Sequence, residues 1–169
     1  MRLNCRCIFA MLTEYRHIES HVTIGPSDLI VYNITSRHTL WQRDFESYYT
    51  RWSPEPDDPV VIPVGLMELS GDFLYVAQGM DGISIYDVSD PENVEETAHL
   101  NVKCDNLVLY NDFLIFTYLP SGPREGIQIY LAKYDISDPY HPENLGEVSL
   151  NGDYSWFHWR NIDLAIWND

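Results

Sequence analysis

A chain of 169 residues is long enough for one domain with a real core. Its content, 45% hydrophobic and 14% aromatic, argues against disorder, and twelve Tyr, six Phe and five Trp suit the half-buried surface of a pleated sheet. The net charge of −16, with ten scattered Lys and Arg, speaks against nucleic acid or an anionic membrane as partner, because affinity for phosphates is built from basic side chains. The plain reading of the acidity is a solvated surface; a cation or a basic partner is the alternative.

The chain opens with "MRLNCRCIFAML". Its apolar run, CIFAML, is shorter than the about 7–15 residues of a signal-peptide core, and no window approaches the ~20 apolar residues of a transmembrane helix. No direct membrane insertion is expected. Cys5, Cys7 and Cys104 make neither a disulfide framework nor a zinc site. Cys5 and Cys7 stand too close for a strain-free bridge, and most of the three are expected to be unpaired, small buried residues.

From about residue 8 to 44 a first β unit is expected, with "HVTIGPSDLIVYNITSRHTLWQRD" as its readable part. The segment 45–59, "FESYYTRWSPEPDDP", follows as an acidic, Pro-rich loop between units. With Trp41 it gathers Tyr48, Tyr49 and Trp52. These four are the candidate interaction residues, since exposed aromatics on long loops suit a protein or glycan partner. Packing over the edge of the fold is the competing reading.

The clearest unit runs over 60–102. "VVIPVGLMELSG" and "DFLYVAQG" each close on Gly, "ISIYDVS" follows the Asp81-Gly82 turn signal, and "VEETAHLNV" follows Asp90-Pro91. Asp before Pro suits the first two positions of a type I turn. The next unit, 104–150, repeats the same words: "DFLIFTYL" lies 40 residues after its counterpart, "GIQIY" 44 and "YDISDP" 48. Two insertions of four residues account for the drift, one in the loop "PSGPRE" and one, LAKY, lengthening a strand. Four is even, so Tyr134 and Ile136 keep the faces of Tyr86 and Val88. The first unit aligns at a shift of 54, placing Gly25 on Gly79, Tyr32 on Tyr86 and Asn33 on Asp87. A half unit is expected over 155–169, "SWFHWRN" and "IDLAIWND" standing for its first two strands.

Ile83 and Ile85 face one way, Tyr86 and Val88 the other, and both sets are apolar. Strands buried on both sides fit sheets stacked between neighbours, as blades are in a propeller. A β-sandwich would explain short strands but not a repeated four-strand word. The expected fold is all-β, with propeller blades of four antiparallel strands at about 8–44, 60–102 and 104–150.

The slots Leu29–Asn33, Ile83–Asp87 and Leu131–Asp135, two of them followed by Ser-Asp-Pro, resemble the LVIVD-repeat family of β-propellers. The resemblance covers 60–150 well and 18–44 and 155–169 weakly. Departures are Asn33 for Asp, Thr35-Ser36-Arg37 for Ser-Asp-Pro, and Lys133 inside the apolar triplet. Propellers need about four to eight blades, and three and a half are countable here, so an incomplete propeller is expected: a fragment, a truncated reading frame, or a protomer completed by another chain. Its open sheet edges would be hazards unless covered, and self-association through them is one expected mode of assembly.

The resemblance implies a non-enzymatic scaffold for a protein partner and favours the cell surface or the extracellular space as compartment. A second resemblance, to the selenium-binding and methanethiol oxidase propellers with their Asp-Val-Ser-Asp-Pro-like turns, would instead imply a metal-dependent oxidase. That needs ligating His and a reactive Cys on one face. The six His show no ligand spacing; His141 is expected to be solvated, and His99, near Cys104, to be a packing residue. Glu95-Glu96 and Asp57-Asp58 read as solvated charge, and no G-x-S-x-G or Gly-rich phosphate loop occurs. No catalytic, cofactor-binding or metal residue is assigned, and no cofactor. Asn33-Ile34-Thr35 is a glycosylation sequon, but it occupies the Asp-Val-Ser slot of the repeat, which explains it without sugar.

Overall fold

The computed structural model describes residues 7–18, 21–45, 49–52, 66–78, 81–102, 104, 106–118 and 129–150. They form twelve strands in three four-stranded antiparallel sheets, with no helix among the described residues. The first sheet holds β1 (Cys7–Ile18), β2 (His21–Asn33), β3 (His38–Phe45) and β4 (Tyr49–Trp52). The second runs in chain order through β5 (Met67–Ser70), β6 (Phe73–Ala77), β7 (Ile83–Asp87) and β8 (Glu95–Leu100). The third repeats that meander with β9 (Asn106–Tyr110), β10 (Phe113–Tyr118), β11 (Ile129–Asp135) and β12 (Glu143–Leu150). The described residues are thus all-β, in four-stranded antiparallel sheets of the kind that form propeller blades. The expected half-blade at 155–169 lies outside the described residues.

The chain divides into two compact units, the first containing the first sheet and the short stretch Val88–Val94, the second containing the other two sheets. Within the first unit one expectation needs correction. The segment 45–59 is not all loop, because Tyr49–Trp52 pairs with His21–Ile24 at the start of β2. β3 already pairs with the rest of β2, from Ser27 to Asn33, while β1 holds the opposite edge. β3 and β4 therefore lie end to end along one edge of a thirteen-residue strand. The alternating polar and Pro-rich composition hid this pairing.

The slot resembling the LVIVD motif lies in the third strand of the second and third sheets and in β2, the second strand, of the first, and in all three it pairs with the preceding strand in the same register. Asn33, Asp87 and Asp135 pair with Cys7, Phe73 and Phe113; Tyr32, Tyr86 and Tyr134 pair with Ile8, Leu74 and Leu114. The end of the slot is a turn, and the Asp or Asn builds it. Thr35 and Ser36 N–H donate to Asn33 Oδ1 at 2.8 and 3.0 Å, and Ser137 N–H donates to Asp135 Oδ1 at 2.8 Å. Either side chain offers the oxygen this needs, so Asn33 replaces Asp without loss. The Asp-Pro turns close as expected, Asn93 N–H on the Asp90 carbonyl and His141 N–H on the Asp138 carbonyl, both at 3.0 Å. The hairpins into β6 and β10 turn on Gly71 (φ 60°) and Asn111 (φ 52°), which is why Gly and Asn alternate there.

The second and third sheets share one core. Tyr75, Ile83 and Ile85 from one side meet Leu107, Leu114 and Phe116 from the other. Fully burying such a side chain stabilises by about 1.5–3 kcal/mol, so this interface is the main source of cohesion in the unit. The other face of β7 is buried as well, through Ser84 and Tyr86. This is the two-sided burial that its apolar pattern requires.

Candidate functional site

Of the four predicted interaction residues, Trp41 lies in β3 opposite Val31 and is partly buried. Tyr49 and Trp52 lie in β4 opposite Ile24 and His21. Pairing along a common strand places these three in one sheet. Tyr48 lies outside the described residues.

The second sheet carries a polar trio that sequence reading did not assemble. Ser84 and His99 are directly opposed on β7 and β8, and Glu96 pairs with Tyr86 one step along. Ser84 Oγ donates to Glu96 Oε1 at 2.8 Å and lies 3.0 Å from His99 Nδ1, which is 3.4 Å from the same carboxylate oxygen. A hydroxyl has one proton. With its one proton directed at Glu96, the Ser84 hydroxyl has only acceptor capacity left for His99 Nδ1. A nucleophilic serine must reach its substrate, whereas Ser84 is 1% exposed. The trio is arranged as a cross-strand lock. Glu96 is therefore more than the solvated edge charge expected of it, while its neighbour Glu95 points to the opposite face, so the two cannot form a dyad.

Across the third sheet runs an aromatic row. Tyr118 stacks on Tyr130 with centroids 5.5 Å apart, and Phe116 lies 5.5 Å from Tyr134. Tyr118 donates its hydroxyl to Glu147 on β12. Burial, reinforced by that carboxylate, pushes the Tyr118 phenol up to about 12; burial and the charge of Asp112 do the same for Tyr75. Both hydroxyls remain protonated donors through the neutral range.

The turn between β11 and β12 concentrates charge. His141 Nδ1 lies 3.0 Å from Asp138 Oδ2, with both side chains mostly exposed. This contact, with the Tyr140 N–H on Asp138 Oδ1, holds the Asp138 carboxyl below its usual range. Asp135 is lowered by the backbone and hydroxyl of Ser137. Tyr140 reaches across to the second sheet, donating to Asp87 Oδ2 at 3.1 Å with its ring edge-on to Phe73 at 5.7 Å.

No group of three or more His, Cys, Asp and Glu is placed to hold a metal ion among the described residues. Cys104 is a buried thiol, as expected. Cys7 is disulfide-bonded, so the expectation of mostly unpaired cysteines does not extend to it.

One repeated feature escaped sequence reading altogether. Each sheet carries a β-bulge where the strand after the motif strand passes the middle of the motif: Leu40, Thr97 and Leu145 are the extra residues, opposite the steps Val31/Tyr32, Ile85/Tyr86 and Lys133/Tyr134. Thr97 repairs the ladder by donating its hydroxyl to the Ile85 carbonyl at 3.1 Å. The third sheet uses Gly146 at φ 123°, whose N–H donates to Asn144 Oδ1. Two leucines and a threonine carry no bulge signal of their own, so only the glycine could have marked one.

Recurring register, turn caps and bulges define an all-β repeat protein whose unit is a four-stranded blade. The family model of the LVIVD repeat matches residues 67–101, the span of β5 to β8. The chain carries the LVIVD repeat, a β-propeller-like repeat, in the sheet where the four-strand word is most legible. Neither the curated proteins nor the solved structures contain a significant match to this chain.

Proposed function

We propose that this LVIVD-repeat chain is a non-enzymatic scaffold that binds a protein partner. One observation carries the reading. The polar residues that recur between copies, Asn33, Asp135, Asp90 and Asp138, each cap or close a turn. The repeat thus specifies a framework, while exposed positions that differ between copies, such as Glu92 against Tyr140, are left to give the surface its identity. With a net charge of −16, the complementary partner is basic.

The test is a photo-crosslinking residue placed at Glu92 or Tyr140 of the full chain in its source cells, with Val76, fully buried, as internal control. Discrete protein adducts from the surface positions alone support a scaffold. Metal analysis of the purified chain decides the competing oxidase reading. Stoichiometric copper or another transition metal, together with turnover of a thiol substrate, would replace the scaffold with an enzyme.

A further inference from the structure

We infer that Asn33 is an N-glycosylation site, modified outside the cytosol by transfer from a lipid-phosphate-linked oligosaccharide. The inference does not depend on the scaffold reading, and it revises the view that the repeat slot explains the sequon without sugar.

Asn33-Ile34-Thr35 is the single Asn-X-Ser/Thr triplet of the chain, and its middle residue is not proline. Asn33 ends β2, and the turn that follows, residues 34–37, is exposed throughout, as are His38 and Thr39. Asn33 is itself half-buried, but the open turn ahead of it leaves room for a bulky glycan. Beside it Ile34 is 45% exposed, an apolar surface that the C–H face of a first sugar would cover.

The cap and the modification use different atoms. Thr35 and Ser36 N–H both donate to Oδ1, at 2.8 and 3.0 Å. A glycan attaches at Nδ2, and the product is still an amide with the same acceptor oxygen. The folded turn therefore takes the sugar without giving up its cap. Nor does the cap explain the asparagine. Asp135 accepts the equivalent bond from Ser137 N–H at 2.8 Å, and the slot holds Asp in both later copies. What Asn offers beyond Asp is the nitrogen, and Thr35 completes the acceptor.

A second observation, on the neighbouring strand, points to the same compartment. Cys7 lies directly opposite Asn33 in the β1–β2 pair and is disulfide-bonded. Disulfides persist in oxidising environments outside the cytosol, and sequons are modified in chains that are exported. Both covalent marks thus belong to one end of one hairpin. In the transfer, Nδ2 attacks C1 of the donor sugar, and the N–C bond forms as the C–O bond to the lipid phosphate breaks. The C–O electron pair leaves on the phosphate, and the displaced Nδ2 proton passes to a base of the transferase.

Peptide mass spectrometry of the full chain purified from its source cells tests this. Trypsin, cutting after Arg16 and Arg37, releases residues 17–37 with Asn33 among them. A sugar increment is expected on that peptide, and electron-transfer fragmentation should place it on Asn33. Asn33→Asp, which retains the cap, should abolish it. Thr35→Ala should abolish it too, although Asn33 and the backbone N–H of residue 35 are both kept. Thr35→Ser should retain it. A peptide 17–37 that is unmodified throughout the purified chain would overturn the inference. So would an increment that persists in Asn33→Asp, or one that fragmentation assigns to Thr35 or Ser36, which would make the sugar O-linked. An increment unaffected by Thr35→Ala would overturn it as well, because a sequon-reading transferase would not have made it.

Discussion

At Gly82 the backbone stands at φ 103°, and a Cβ there would fall 2.1 Å from the Leu100 carbonyl oxygen. The obstacle is backbone of β8, which cannot rotate aside as a flexible side chain would. The same residue closes the loop into β7, where Gln78 N–H donates to the Gly82 carbonyl at 2.8 Å. Gly82→Ala therefore combines an unfavourable dihedral with overpacking, and a loss of about 3 kcal/mol is expected. Urea unfolding followed by tryptophan fluorescence measures it; a change within experimental error would mean that the β7–β8 approach is looser than described. Gly71 makes the contrast. It too has positive φ, but nothing lies within 4 Å of its missing Cβ, so its demand is conformational alone and Asn can meet it, as Asn111 does in the next copy.

Between elements, Tyr140 ties the third sheet to the second with a hydrogen bond to Asp87 and an edge-on contact with Phe73. Tyr140→Phe should keep the ring contact and lose only the hydrogen bond; Tyr140→Ala loses both. The expected order of melting temperatures is wild type, then Phe, then Ala, and equal values for all three would show the clasp to be passive. The Asp-Pro turn that carries Tyr140 was legible in sequence because Asp and Pro act on the backbone within four residues. The same holds for the Asp81-Gly82 turn, the register of the motif strands and the two-sided burial of β7, all set by local chemistry or period-two patterning. The reach of Tyr140 was not legible, nor was the Ser84, Glu96 and His99 trio, because both depend on which residues of distant strands come opposite. Trp41, Tyr49 and Trp52 drew attention as loop aromatics, yet the pairing of β4 with β2 that places two of them in a sheet is a long-range event without a local signature. The bulges shift the strands after the motif strands by one residue, so even a correct strand assignment would have misplaced Glu96 and Asn144 by one face.

For the molecule as a whole, two carboxylate effects oppose each other as the medium is acidified. The net charge of −16 pushes the folded chain apart, and protonation or salt relieves that repulsion. Against this stand Asp135 and Asp138, whose folded carboxyls are held below their usual range by turn hydrogen bonds. A group lowered in the folded state contributes stability that is present above its unfolded value and disappears as pH falls through its folded one. Between pH 7 and about 5 these caps stay ionised, so only the relief of repulsion operates and the melting temperature should hold level or rise slightly. Below about pH 4 the caps protonate and it should fall. Asp135→Asn separates the two effects, because Asn keeps the acceptor oxygen, as Asn33 does in the first copy, without the titration. The variant should lose less stability in the acid limb than the wild type, with the limb above pH 5 unchanged. A melting temperature that declines steadily from pH 7 to 5 in both proteins would place the acid-sensitive groups elsewhere, and the turn carboxylates would then be caps without a titratable role.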